Sequence, residues 1–208
     1  LLGAWCQIDN AQSILDVGAG SGVMSLMCAQ RNQESVITAL EIDEPSWSQC
    51  QQNFEQSKWN RRVKAICGDF NSHQFEESFD HIICNPPFFK DSTLNIGKRV
   101  SQARHEQSLS IGKLIERGYK LLSKKGRLSI ILPYDRLTEV NKLIANSSLG
   151  LEFQLNVRPT PVKQPNRVLL TMTTDTVSAN MDEMELYSKE SEYSDRTLQL
   201  FRPYYLNL

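Results

Sequence analysis

Short apolar runs alternate with amphipathic stretches along most of the chain. Ser13–Val17 (Ser-Ile-Leu-Asp-Val), Val36–Ile42, Val63–Cys67, the β-branched run opening at Phe79 and Arg127–Leu132 all read as strands, the first and the fourth of them buried. Between them, Val23–Gln30, Glu44–Ser57, Leu109–Leu122 and Leu137–Ser147 carry helical spacing, the second with Pro45 in its first turn. Trp47 and Phe54, seven residues apart, are expected in the core. Ser123-Lys124-Lys125-Gly126 reads as a turn. Leu151–Val157 and Val168–Thr173 are a sixth and a seventh strand. The Pro-rich Arg158–Asn166 between them has no room for a crossover helix, so these two should pair antiparallel. Beyond Thr174 the chain is polar, with a short strand possible over Met184–Tyr187 and a last helix over Ser194–Leu206 that should break near Pro203. The pattern is that of an α/β fold.

Two interruptions of this pattern carry candidate chemistry. The first is Gly18-Ala19-Gly20-Ser21-Gly22, between the first strand and the first helix. Glycines there let backbone approach a ligand closely, and the helix start offers free N–H groups. The spacing is G-x-G-x-G after the acidic Asp16, whereas dinucleotide sites show G-x-G-x-x-G. At the end of the second strand Glu41, with Asp43 as the alternative, is placed to accept both ribose hydroxyls of an adenosine-containing cofactor. Gly68-Asp69-Phe70 follows the third strand, and Gly-Asp is also an ordinary turn.

The second interruption is Asn85-Pro86-Pro87-Phe88, where the fourth strand stops. In an open α/β sheet ligands bind at that carboxyl edge. The Asn85 side-chain carbonyl and the Pro86 backbone carbonyl could accept both hydrogens of an exocyclic amino group, while Phe88 stacks on the ring that bears it. An adenine amino nitrogen shares its lone pair with the ring. Acceptors that draw it towards tetrahedral geometry and stabilise the developing positive charge make it a better nucleophile, without a strong base.

Composition narrows the field. At 208 residues the chain fits one domain, and its 23 Lys+Arg against 24 Asp+Glu leave any nucleic-acid contact to a local patch. Lys90, Lys98, Arg99, Arg104 and His105, in the polar stretch after Phe89, are such a patch, suited either to phosphates flanking an extruded base or to solvent. Five cysteines without a C-x-x-C pair argue against a disulfide framework and a zinc site and fit a reducing cytoplasm. No run is apolar enough to span a membrane. The chain opens without Met at Leu-Leu-Gly-Ala-Trp, so an amino-terminal segment is expected before it.

Asp-Val-Gly-Ala-Gly-Ser-Gly resembles motif I of class I S-adenosylmethionine-dependent methyltransferases, and Asn-Pro-Pro-Phe resembles the motif IV of those that methylate amino groups. Over nearly its whole length, from Leu-Leu-Gly-Ala-Trp to Arg-Pro-Tyr-Tyr-Leu, the chain is similar to the bacterial valine tRNA adenine-N6 methyltransferases, which modify adenosine 37 beside the anticodon. The resemblance implies a Rossmann-like sheet of seven mostly parallel strands with an antiparallel last strand and helices on both faces. It implies S-adenosylmethionine as cofactor, held by Asp16, Gly18, Gly20, Glu41, Asp69 and Phe70, with Asp69 on the cofactor's adenine amino group and Phe70 flanking its ring. Asn85, Pro86 and Phe88 would act on the target adenine, and Pro87, Lys98, Arg99 and Arg104 would face the substrate, a tRNA anticodon loop. No metal is implied, and a cytoplasmic monomer is expected. Two departures stand out: the family's upstream Thr-Asp-Gly segment is absent, and Phe88 stands where Tyr is frequent. The same motif IV also serves protein glutamine N5, ribosomal guanine N2 and DNA adenine. A nicotinamide dehydrogenase and a non-catalytic RNA-binding protein are the readings from other classes.

Overall fold

The structure is a computed structural model that describes residues 1–86, 109–189 and 192–205. The β-branched and leucine-rich runs form strands β1 (Ser13–Val17), β2 (Val36–Glu41), β3 (Val63–Cys67), β4 (Phe79–Cys84), β5 (Leu122–Pro133), β6 (Gly150–Arg158) and β7 (Arg167–Thr173). The helices are α1 (Leu2–Trp5), α2 (Val23–Arg31), α3 (Glu44–Gln56), α4 (Ile111–Leu121), α5 (Leu137–Ala145) and α6 (Asp195–Phe201). Three of them start on side-chain caps. Asp43, Ser110 and Ser194 accept from the backbone N–H groups of Ser46, Lys113 and Thr197. By contrast α2 starts on Gly22, which offers no side chain, so its first-turn N–H groups face the loop before it uncapped.

With a further strand β8 (Asn180–Glu185), the sheet order is β3-β2-β1-β4-β5-β7-β6-β8. Pairing is parallel from β3 through β5; β7 runs antiparallel to both β5 and β6, as the short Pro-rich connection requires. Among the described residues this sheet has eight strands rather than the expected seven. The eighth, β8 (Asn180–Glu185), lies parallel to β6 at the edge, earlier in the chain than the short strand expected over Met184–Tyr187. Its sequence, Asn-Met-Asp-Glu-Met-Glu, buries only Met184, and a charged edge strand lacks the apolar alternation that marks a half-buried one. Tyr187–Lys189 instead forms β9, paired antiparallel with β10 (Glu192–Tyr193).

The expected turn at Ser123–Gly126 is absorbed into β5. Opposite β4 the register jumps from Phe79↔Leu122 to His81↔Arg127, and Lys125 takes φ 64°, so the extra residues bulge out of a continuing strand.

Alternation along β4 sends Ile82 to one face and Ile83 to the other, and each face is covered by helices. Leu114, Ile115, Val140 and Ile144 of α4 and α5 pack over Ile82, Leu128, Ile130 and Leu170. Leu2, Cys28, Ala29 and Phe54 of α1, α2 and α3 pack over Ile14, Ile37, Ile83 and Leu169. Phe54 is core as expected. Trp47 is not: it is half-buried, belongs to neither cluster, and its indole N–H has no partner among the described residues. A polar chain crosses the second face, with His81 Nε2 2.8 Å from Ser129 Oγ and Ser129 Oγ 2.7 Å from Thr171 Oγ1. Burial holds that imidazole neutral, its pKa down to about 3.

Leu114 is fully buried between α4 and the sheet. Leu114→Ala should therefore lower the unfolding free energy by about 2–5 kcal/mol in urea melts with an unchanged m-value; a loss under about 1 kcal/mol would mean that α4 is not held by this contact.

Candidate active site

The register of the parallel strands lines up the sequence-predicted residues along one edge. Val17 pairs with Leu40 on one side and Cys84 on the other, and Glu41 pairs with Cys67. The next residues out, Gly18, Asn85 and Gly68-Asp69, therefore leave β1, β4 and β3 beside one another, with Glu41 ending β2 between the first and the last. At about 4.8 Å per strand step, Asp69 and Asn85 stand roughly 14 Å apart along that row.

The loop between β1 and α2 is tied down by Gly18 N–H and Ala19 N–H, both donating to the Leu40 carbonyl at 2.9 and 3.2 Å. Gly18, Gly20 and Gly22 all have positive φ, at 69°, 56° and 81°. A Cβ on either of the first two would meet nothing within 4 Å, so that side of the loop is an open cradle. At Gly22 a Cβ would meet Phe54 Cε1 at 2.5 Å and Cys50 Sγ at 2.6 Å. The third glycine thus lets α2 close onto α3, a role that the motif spacing alone did not single out.

Glu41 is almost fully buried at the head of this cradle. Its Oε2 accepts from Gly20 N–H at 2.7 Å and its Oε1 from Asp43 N–H at 2.9 Å. Each oxygen keeps a lone pair for a hydroxyl donor. Asp43 points elsewhere, capping α3. Asp16 is completely buried: Ser25 Oγ donates to its Oδ2 at 2.7 Å, and its Oδ1 has no partner among the described residues. Burial lifts this carboxyl to about 7; the Ser25 hydrogen bond opposes the shift and the Glu41 carboxylate adds to it. Ser25 was not singled out from the sequence, where a helical serine carries no mark of its partner.

Asp69 closes a tight turn, its Oδ1 accepting from the Asn71 backbone and side-chain N–H groups at 2.9 Å each. Phe70 is buried in the core at 4% exposure, with the Arg117 guanidinium 5.4 Å over its ring. Arg117 is fixed in turn by the carbonyls of Asn71 and His73.

On the other side of the row Asn85 is exposed and Pro86 buried. Asn85 lines a cavity of 540 Å³ together with residues of α1, α2 and the stretch from Phe201 to Tyr205. Pro87, Phe88, Lys98, Arg99 and Arg104 lie outside the described residues. Among the described residues no cluster of His, Cys, Asp and Glu could hold a metal ion, and no helix is long and apolar enough to cross a membrane. The orphaned Asp16 Oδ1, the open glycine cradle and the Glu41 carboxylate fit a ligand that carries both a cationic amine and a diol, as S-adenosylmethionine does.

The Asp16 environment has a consequence for pH. In the unfolded chain the group titrates near about 4; in the fold it titrates near 7, so over that interval the fold holds the extra proton. Its contribution to stability is greatest below the lower value, falls as pH rises to about 7 and then levels off. Asp16→Asn does not titrate. Its stability advantage over the unaltered, cofactor-free chain should widen from pH 5 to 7 by up to about 1.4 kcal/mol per pH unit and stay flat above that. Urea melts at pH 5, 6, 7 and 8 check this, and a gap independent of pH would refute it.

The family described as methyltransferase small domain matches residues 4–147. The tRNA1(Val) (adenine(37)-N6)-methyltransferase of Shewanella baltica is 37% identical over 213 residues, which cover 99% of this chain and 89% of that protein. The enzyme of the same name from Bacteroides thetaiotaomicron is 37% identical over 209 residues, covering 100% of this chain and 88% of that one. In fold, a predicted O-methyltransferase from Agrobacterium tumefaciens superposes with a TM-score of 0.72 at 17% identity, covering 97% of this chain and 94% of that one. A methyltransferase from Pyrococcus furiosus gives 0.58 at 19% identity, covering 82% and 78%. These two share the fold of this chain, and the full-length relatives at 37% identity carry the assignment: the chain belongs to the methyltransferase small-domain family and, within it, to the bacterial tRNA1(Val) (adenine(37)-N6)-methyltransferases.

Proposed function

We propose that this chain, acting as a single domain and a monomer in the cytoplasm, methylates N6 of adenosine 37 in the anticodon loop of a valine tRNA. The observation that carries the reading is the row along the sheet edge. The β1–β4 register sets the glycine cradle directly beside Asn85, so a residue fitted to orient an amino group adjoins the residues fitted to hold the methyl donor. The relatives' names supply the substrate.

S-adenosylmethionine, when bound, supplies an electrophilic methyl group on a sulfonium. Asp16, Gly18, Gly20, Glu41 and Asp69 are the residues of this chain that would hold it, Asp16 through its unpartnered Oδ1 and Glu41 through the lone pairs left beside Gly20 and Asp43. Phe70 contributes by fixing the turn that carries Asp69. The exposed Asn85 side-chain carbonyl and the Pro86 carbonyl accept the two N6 hydrogens, which orients the nitrogen and stabilises the charge that builds on it. Phe88, by family resemblance, stacks on the adenine. Unstacking a base from a single-stranded loop costs less than extracting one from a duplex. Placement does the rest, and no general base is needed for attack.

Asn85→Ala should lower turnover about a hundredfold or more while S-adenosylmethionine affinity stays within about twofold. The assay is transfer of labelled methyl to unmodified total tRNA, followed by nucleoside digestion, with ribosomal RNA and protein fractions in parallel. N6-methyladenosine confined to tRNA is the expected product of the unaltered chain. Label in protein glutamine or ribosomal guanine would overturn the substrate, and undiminished turnover in the variant would overturn the role of Asn85.

A further inference from the structure

The cavity that starts at Asn85 extends well past the space an amino group needs. It follows the outer face of α2 through Val23, Met24 and Met27 to the carboxyl-terminal segment, where Tyr205 forms part of its wall. At 540 Å³ it is within the range of pockets that seat small organic groups. Among the described residues, none of the side chains lining it is Asp, Glu, Lys or Arg. What it offers is apolar and aromatic surface with a few neutral polar ends: Asn85, Gln30 and the tyrosine hydroxyls.

The aromatic side is braced. Tyr187 stacks on Tyr193 with ring centroids 5.0 Å apart, Tyr193 meets Phe201 edge to face at 5.9 Å, and Phe201 lies 5.6 Å from Tyr205. Gln30 Nε2 donates to the Pro203 carbonyl at 2.6 Å, which ties the segment to α2. At the end of this ladder Tyr205 remains 54% exposed and Val23 across the groove 57% exposed. A tyrosine held in place by its neighbours is a stacking face that loses little conformational freedom on binding. Arg202 is exposed and lies in the chain between the lining residues Phe201 and Pro203.

Taken with the tRNA reading above, on which this inference rests, we propose that the groove seats an unstacked nucleobase neighbouring the target adenosine, with Tyr205 as the ring on which that base stacks. A wall of apolar and aromatic side chains suits a base face, while the phosphate of that nucleotide stays outside it. A base adjoining the target in the same loop reaches it because the groove and the proposed amino-group site share Asn85. Anticodon-loop bases are single-stranded and can be splayed onto aromatic side chains in this way.

The test is the tRNA dependence of methyl transfer for the unaltered protein, Tyr205→Ala and Tyr205→Phe, with S-adenosylmethionine affinity measured separately by titration. Tyr205→Ala should raise the KM for tRNA roughly tenfold or more, with kcat within about twofold and cofactor affinity unmoved, whereas Tyr205→Phe should behave as the unaltered chain. An unchanged KM in Tyr205→Ala overturns the proposal. So does an equal rise in both variants, which would point to the hydroxyl, or a fall in cofactor affinity, which would mark a structural role. A monomer–dimer equilibrium abolished by Tyr205→Ala would assign the groove to a second copy instead. If the unaltered protein transfers no methyl to tRNA, the substrate reading itself fails and this proposal with it, whereas normal transfer with an unmoved KM overturns the groove alone.

Discussion

The structure depends on the parallel pairing of β1 with β4 in the middle of the sheet. Both strands are buried on both faces, so neither can slip by a residue without turning a row of Ile and Leu side chains into the wrong layer. That constraint is about packing, yet it sets the functional geometry. Once Val17 lies opposite Cys84, the residue after each must sit at the same height on the carboxyl edge, and those residues are Gly18 and Asn85. Hydrophobic register positions the two motifs, and the motifs themselves supply little of the energy.

The same edge carries the least comfortable group in the fold. Asp16 is enclosed with one hydrogen bond and one empty oxygen, next to a second carboxylate. A neutral residue would sit there more easily, so the buried acid costs the fold some stability. Ser25 moderates the cost by donating to one oxygen and leaves the other free.

Much of this was legible in the sequence. Strands buried on both faces are short continuous apolar runs, so β1, β2 and β4 announced themselves, while the edge strand β3 showed through Val63, Ala65 and Ile66 although Lys64 and Cys67 are exposed; the ends of these strands marked Gly18, Glu41, Asp69 and Asn85 as neighbours. What escaped lies where the local pattern is weak. β8 is an acidic edge strand whose only buried side chain is Met184, and β5 takes up Ser123–Gly126 as a bulge because the strand resumes its pairing beyond them. Trp47 has the spacing of a core residue but sits in the first turns of α3, whose buried residues are Cys50 and Phe54 further along. Gly22 and Ser25 act through partners far off in the chain, Phe54 and Asp16, and no local pattern reveals a partner. The groove ending at Tyr205 is built from segments nearly two hundred residues apart and has no linear signature at all.

The strand order also governs when the molecule can become complete. In the order β5-β7-β6, the strand that covers the flank of β5 comes after β6 in the chain, so Leu128 to Leu132 keep an open row of backbone donors and acceptors until Arg167–Thr173 has been made. The parts of the proposed methyl-donor cradle, all within the first seventy residues, leave the ribosome long before that flank can close. A chain interrupted between α5 and β7 would therefore carry those parts together with an unsatisfied sheet edge, a combination that favours association with other chains over folding alone.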